Sequence, residues 1–130
     1  MRRQSRELAL QILFQIEFAP QIEYAEFLEV FEQSFDQDVI DYADLIINGV
    51  KTNAEKLDKL IQSSTQNWSI SRMAIVDRNI LRMAMFEMKL MENPLKPEIV
   101  MNEAVDLAKK YGSTDSGGFV NGILNQAARS

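Results

Sequence analysis

Three arginines near the beginning of the chain form its clearest candidate site for an anion. Arg2, Arg3 and Arg6 lie within the first six residues, with no acidic residue among them. At about 100° per residue of a helix they fall within an arc of about 100°, so they can face one phosphate track. Arginine forks pair with phosphate oxygens. The alternative is that these arginines only keep the end of a helix solvated, and their spacing leaves both interpretations open.

A second candidate site is a run of small residues ahead of the last predicted helix. Residues 113–118 read Ser-Thr-Asp-Ser-Gly-Gly, which predicts a loop. Gly117 and Gly118 would let a nucleic-acid backbone approach the unpaired amides of a helix start, and Phe119 offers a surface for a base. Asp115 repels phosphate but can accept hydrogen bonds from base amino groups. In the alternative interpretation, which spacing alone favours, Asp115 or Ser116 caps the helix and Phe119 is a core residue.

The charges are distributed unevenly along the chain. The net charge is −5, yet residues 7–50 contain ten acidic residues and no lysine or arginine. A polyanion can therefore approach this protein only selectively. The same acidic block supports a rival hypothesis, in which the chain is a helical adaptor that holds a basic protein partner and does not bind RNA specifically.

The residue types exclude most catalytic sites. The chain has no cysteine and no histidine, so it lacks zinc-thiolate ligands, a thiol nucleophile and the usual general base. The glycine, serine and lysine spacings of known catalytic and nucleotide-binding motifs are also missing. We therefore predict a protein that is not an enzyme and that needs neither a metal nor a cofactor.

Apolar stretches are short and interrupted. No run of eighteen apolar residues could span a bilayer, and polar residues such as Glu7 and Gln11 divide the apolar stretch that follows the arginines. We expect a cytoplasmic protein with no membrane contact.

Helical periodicity runs through the whole chain, and no alternating strand pattern occurs. Ala9, Ile12, Leu13 and Ile16 mark one helix face, and comparable stripes follow. The patterns predict helices over about residues 4–18, 24–35, 43–61, 72–92, 97–111 and from 119 onwards. The fold class is therefore all-α, an antiparallel bundle of about six or seven helices.

Three single residues carry more local predictions. Gly49 inside a predicted helix indicates a close helix crossing. Trp68 precedes two serines that suit helix caps, so it could staple the start of the next helix, but we expect it to be a core residue. Gly112 suits the left-handed position at the end of a helix, where Lys109 and Lys110 complement the negative end.

Three segments resemble the NusB family of transcription antitermination factors. They are RRQSRELALQILF, WSISRMAIVDRNILRMAMFEM and VMNEAVDLAKKYGSTDSGGFVNGIL, and together they cover about half of the chain in the family's order. The resemblance implies one domain over residues 1–130, with seven helices in subdomains of about 1–65 and 66–130. It implies binding of boxA-type single-stranded RNA together with NusE, a ribosomal protein, in the RNA polymerase antitermination complex that supports ribosomal RNA synthesis. It leaves a homodimer open.

The resemblance also assigns residues. Its RNA-binding positions fall on the three arginines and on the loop before the last helix; these are Arg2, Arg3, Arg6, Asp115, Gly117, Gly118 and Phe119. Its NusE-binding positions fall on Phe14 and Asp77, where relatives often have tyrosine and glutamate. Gly117 and Gly118 stand where relatives often have larger and sometimes basic residues. With three phosphate contacts, binding to a single strand should follow a log–log salt slope of about −2.

Overall fold

The computed structural model describes residues 2–32 and 34–129, without the side chains of residues 31 and 32. Within these ranges the chain forms seven α-helices and no strand. They are α1 (Arg2–Phe18), α2 (Tyr24–Glu32), α3 (Gln37–Thr52), α4 (Ala54–Ser63), α5 (Ile75–Met85), α6 (Pro97–Tyr111) and α7 (Ser116–Arg129). A 3₁₀ turn (Ile70–Arg72) precedes α5, and a π-helical turn (Phe86–Leu90) continues it. The all-α prediction is confirmed. None of the described helices has the length and apolar character needed to cross a bilayer.

The predicted long helix over 43–61 is two helices, α3 and α4, which meet at Asn53. The backbone N–H of Asn53 donates to the Gly49 carbonyl at 3.1 Å, and its side-chain amide donates to the same oxygen at 2.9 Å. Asn53 leaves helical geometry, with φ −108° and ψ 21°. The apolar stripe continues across this break because Val50 and Leu57, on either side of it, are both buried.

The predicted helix over 72–92 is divided as well. Met73 is extended (φ −71°, ψ 148°) between the 3₁₀ turn and α5, so the helix begins only at Ile75. At its other end the π-helical turn carries Glu87 into the interior, and the Glu87 carbonyl accepts the Leu95 N–H at 2.9 Å. Turns of this kind are rare and often mark functional sites.

The buried apolar residues form one continuous cluster to which both halves of the chain contribute. Its fully buried large members come from five helices; they include Leu8, Ile12, Ile46, Ile47, Leu57, Ile61, Ile80, Leu81, Met83 and Leu124. Gly49 lies where α3 meets the π-helical turn, and a Cβ there would be 2.6 Å from Cε2 of Phe86. The close approach predicted at Gly49 is therefore present, and a ring fills the space.

Gly112 ends α6 but not in the predicted conformation. Its φ is −96° and its ψ −165°, so the left-handed prediction is wrong. Glycine is required there for space, because a Cβ would lie 2.6 Å from Cβ of Ser116. The small residue thus allows α7 to begin directly against the end of α6.

Candidate nucleic-acid interface

Arg6 does not lie at the surface, which contradicts its predicted place on a phosphate track. Only 4% of the residue is exposed, and its guanidinium pairs with Glu87 through Nε to Oε1 and Nη2 to Oε2, both at 2.9 Å. The hydroxyl of Tyr42 donates to the same carboxylate. Burying an arginine is costly unless its charge and donors are matched, and Glu87 supplies that match. Arg6 is therefore part of the interior.

Arg2 is exposed and stacks on the outer side of this buried group. Its guanidinium carbon lies 3.7 Å from the centroid of the Tyr42 ring, the geometry of a cation–π contact. Burial first, and then the hydrogen bond to Glu87, raises the pKa of Tyr42 above its usual range, so the phenol stays neutral. The contact orders the beginning of α1 against α3.

Arg3 contacts α6 from the surface of the molecule. More than half of its side chain (57%) is exposed, and it donates to Glu103 at 3.1 Å and to Asp106 at 2.7 Å. The hydrogen bond and the charge of Glu103 raise the pKa of Arg3 further. Exposed pairs of this kind contribute little to stability, so a phosphate can compete with the two acids for the guanidinium.

The predicted loop before the last helix is shorter than expected. Helix α7 begins at Ser116, so Gly117 and Gly118 lie in its first turn. The buried Ser116 hydroxyl accepts the Ser113 N–H at 2.9 Å, and the Asp115 carbonyl accepts the Phe119 N–H at 3.1 Å. The Asp115 side chain is exposed. Gly117 is buried and Gly118 is exposed, so only Gly118 lies open to an anion in this first turn.

Helix α6 joins the Arg3 end of the molecule to the start of α7. A cleft of about 660 Å³, here called the Lys109 cleft, is lined by Asp106, Lys109, Gly117 and Gly118, among others. Asp106 is also the partner of Arg3, so the two candidate sites predicted from the sequence share one face. A Cβ on Gly117 would be 3.2 Å from Cγ of Lys109, whereas one on Gly118 would meet nothing within 4 Å. Gly118 is therefore the open position in this face.

Phe119 is half-buried and contacts Trp68, which is predicted from the sequence to be a core residue. The rings of Phe119 and Trp68 are 5.5 Å apart and nearly perpendicular, at 86°. Trp68 is 53% exposed, so its predicted core role is wrong. The segment between α4 and the 3₁₀ turn carries the indole across to α7, which helical periodicity does not reveal.

Phe14, predicted to contact a protein partner, lies in a separate apolar cleft of about 240 Å³. The walls come from α1, from Val76 at the start of α5 and from Tyr111 at the end of α6. The ring of Phe14 packs 4.8 Å from that of Phe18, which is 66% exposed. An exposed aromatic beside an apolar cleft is typical of a protein-binding surface.

Asp77 follows Val76 in the first turn of α5, close to the cleft that holds Phe14. Only 8% of the residue is exposed, and its Oδ1 is buried without a hydrogen-bond partner. The positive end of a helix stabilises a carboxylate in this position. A buried carboxylate oxygen without a donor is costly, and the helix dipole offsets part of that cost.

The sequence reasoning missed the residues that hold the arginines. Glu87 binds Arg6 and accepts a hydrogen bond from Tyr42, and Glu103 and Asp106 bind Arg3, although these partners are distant in sequence. One signal was present for Glu87, a single acid inside the apolar run from Met83 to Met88. Such a residue is expected to have a buried cationic partner.

Fold and surface define a class: a small all-helical protein that presents cations beside a glycine-containing helix start, with an apolar cleft on another part of its surface. The sequence model of the NusB family matches residues 3–129. The chain is 61% identical over 128 residues to the transcription antitermination protein NusB of Bdellovibrio bacteriovorus, covering 98% of this chain and 95% of that protein. The chain belongs to the NusB family.

Solved structures agree with this assignment. NusB of T. maritima superposes with a TM-score of 0.90 at 37% identity, over 100% of this chain and 92% of that one. A chain from a crystal structure of the antitermination factors NusB and NusE in complex with dsRNA superposes with a TM-score of 0.85 at 29% identity, over 98% and 96% of the two chains.

Proposed function

We propose that this protein is a transcription antitermination factor that binds boxA-type single-stranded RNA together with NusE, within the RNA polymerase antitermination complex that supports ribosomal RNA synthesis. Its relatives in other bacteria are antitermination proteins, and a structural neighbour forms a complex with NusE and RNA. The observation that carries the proposal is the shared position of Asp106, which contacts Arg3 and lines the cleft of Gly117 and Gly118.

Cations along this face would hold the RNA backbone. Arg3 and the exposed Lys109 lie on either side of Asp106, and Arg2 stands next to Arg3 at the start of α1. These three replace the set that included Arg6, so the expected salt slope remains about −2 for a single strand. Such a slope means weak binding to RNA alone, which is why a second protein is needed.

The start of α7 would read the strand. The exposed amide end at Gly118 suits a phosphate, because the first amides of a helix lack intrahelical acceptors. Asp115 is exposed and accepts hydrogen bonds from base amino groups, and the ring of Phe119 offers a stacking surface. Phosphate contacts position the RNA, and these two side chains select among bases.

NusE would bind at the cleft of Phe14. The apolar walls supply contact area, and Asp77 would lie at the edge of this contact with its Oδ1 buried beneath the surface. Because the cleft and the RNA face are built from different parts of the surface, the two ligands can bind at the same time and strengthen each other's binding.

Fluorescence anisotropy with labelled boxA RNA, scrambled RNA and an RNA duplex tests the proposal, with and without NusE. We expect NusE to strengthen binding of the boxA strand specifically. The Arg2→Ala/Arg3→Ala variant should lose RNA binding and keep NusE binding, while Lys56→Ala, which removes an exposed charge on α4, should change neither.

Two outcomes of this experiment contradict the proposal. Equal binding of boxA and scrambled RNA in the presence of NusE would remove its specificity. Retained NusE binding with no RNA binding under any condition would favour the adaptor hypothesis, in which the acidic block of residues 7–50 holds a basic partner.

A further inference from the structure

A second cleft is lined by both Phe119 and Trp68. It has a volume of about 480 Å³ and runs between residues 63–68 and α7; here it is called the Trp68 cleft. It shares Gly118 with the Lys109 cleft, so the two are neighbours on one surface. A strand held at the start of α7 would therefore reach it directly.

The lining of the Trp68 cleft differs from that of its neighbour in charge. None of the described residues that line it is charged, whereas the Lys109 cleft contains Asp106 and Lys109. The polar groups are hydroxyls and side-chain amides, including those of Gln66, Asn67 and Gln126. Such a lining does not attract a phosphate, but amides pair with the donor and acceptor edges of bases.

The aromatic content of the Trp68 cleft suits a planar ligand. Trp68 is 53% exposed and meets Phe119 edge to face, at 86°, so the two rings do not close on each other in parallel. Indole that stays open to solvent beside amides is the arrangement on which unpaired bases stack. On the opposite wall a Cβ at Gly122 would meet nothing within 4 Å, which leaves the space open.

We propose that the Trp68 cleft is a base subsite, which takes one unpaired nucleobase of the bound strand, stacks it on Trp68 and reads its edge with Gln66 and Asn67. This rests on the proposed function, since it needs a single strand at the start of α7. It adds a position at which the protein selects a base, beyond Asp115 and Phe119. Because a base paired in a duplex cannot enter the cleft, the subsite also selects single-stranded RNA.

The fluorescence of the only tryptophan reports directly on the subsite. Titration with the boxA-type RNA used above should quench the indole emission and protect it from acrylamide, and the midpoint should match that of anisotropy. RNA that binds by anisotropy and leaves the indole emission and its acrylamide quenching unchanged would overturn the inference.

Substitution of Trp68, combined with RNAs that each carry one abasic position, identifies the base that enters the cleft. Loss of one stacked base costs about tenfold in affinity, so Trp68→Ala should bind the RNA about tenfold more weakly and Trp68→Phe should recover most of the loss. One abasic position should weaken binding by wild type about tenfold and leave Trp68→Ala unaffected. Val30→Ala, at an exposed apolar position on α2, is the matched control and should bind as wild type.

A second variant distinguishes loss of the subsite from a local structural change caused by Trp68→Ala. Gly122→Leu fills the cleft from the opposite wall without touching Trp68's own backbone, and it should remove the sensitivity to the same abasic position. Equal abasic profiles for wild type, Trp68→Ala and Gly122→Leu would overturn the subsite while leaving RNA binding intact. Absence of RNA binding by wild type with NusE would overturn the subsite and the proposed function together.

Discussion

The substitution Glu87→Gln tests the assignment of Arg6 to the interior. It keeps the shape of the side chain but removes the charge that faces the Arg6 guanidinium at 2.9 Å. Side-chain exposures of 5% for Arg6 and 2% for Glu87 leave no room for water to take over that role. The variant therefore leaves the buried cation with one more distant counter-charge, Oε1 of Glu103 at 3.9 Å from Nη1.

Removing one member of a buried ion pair costs about 3–5 kcal/mol, because the remaining charge stays desolvated. The hydroxyl of Tyr42, which donates to Glu87, keeps an amide oxygen as acceptor in the variant, so we expect the lower half of that range. For a domain of this size the loss lowers the melting temperature by roughly 10 °C. Replacing the whole group by apolar residues, as Arg6→Met/Tyr42→Phe/Glu87→Met, should restore stability to near wild type.

Urea unfolding followed by circular dichroism measures the free energies, and RNA anisotropy with NusE tests the functional consequence. The triple variant should bind RNA as wild type does, because the Arg6 side chain is buried and not available to RNA. A loss below about 1 kcal/mol for Glu87→Gln would refute the buried pair as a source of stability. Lost RNA binding in a stable triple variant would restore Arg6 to the RNA site and refute our reasoning.

Three other outcomes are expected. Gly122→Ala should stabilise the protein by about 0.5–1 kcal/mol in urea unfolding, because its Cβ meets nothing within 4 Å. Gly49→Ala should destabilise it by about 1–3 kcal/mol, because its Cβ would overlap Phe86. The reverse order of stabilities would contradict the packing described for these glycines. Gly118→Lys should tighten RNA binding and steepen the salt slope by about 0.7 in anisotropy titrations, and an unchanged slope would place Gly118 away from phosphate. Because the pKa of Tyr42 is raised in the folded state, stability should be full below about pH 10 and fall as the pH rises above it, and Tyr42→Phe should weaken this dependence; equal alkaline unfolding profiles would contradict it.

The helices could be predicted from the sequence because the spacing of apolar residues indicates which face of each helix is buried. Helix α6, with Pro97 at its first position, was located almost to the residue. The break at Asn53 could not be read, since the apolar stripe passes through it unchanged and a side-chain hydrogen bond to Gly49 decides the geometry. Periodicity describes which face is buried and is silent about local competition for backbone acceptors.

The sequence indicated which residue types form the candidate site, but it did not indicate which of them lie at the surface or which partners they have. Arg3 is exposed and contacts Asp106, which also lines the cleft at the start of α7, but the residues next to Arg3 in sequence do not indicate its partners Glu103 and Asp106. Arg6 has the same residue type and lies three positions later, yet its environment is set by Glu87, 81 residues away. Charged residues are exposed in most cases, but whether a particular arginine is exposed or buried depends on the partners that the fold brings to it.

The acids that hold Arg3 have a consequence for which anions this protein can retain. A small anion gains one contact with the guanidinium and must compete with two carboxylates for it, so chloride or free phosphate is held only weakly. A polymer already held at the start of α7 meets the same guanidinium at high local concentration. We therefore expect the two acids to make binding at Arg3 depend on the length of the RNA. A short oligonucleotide leaves Arg3 paired with Glu103 and Asp106, whereas a strand that extends along α6 displaces them.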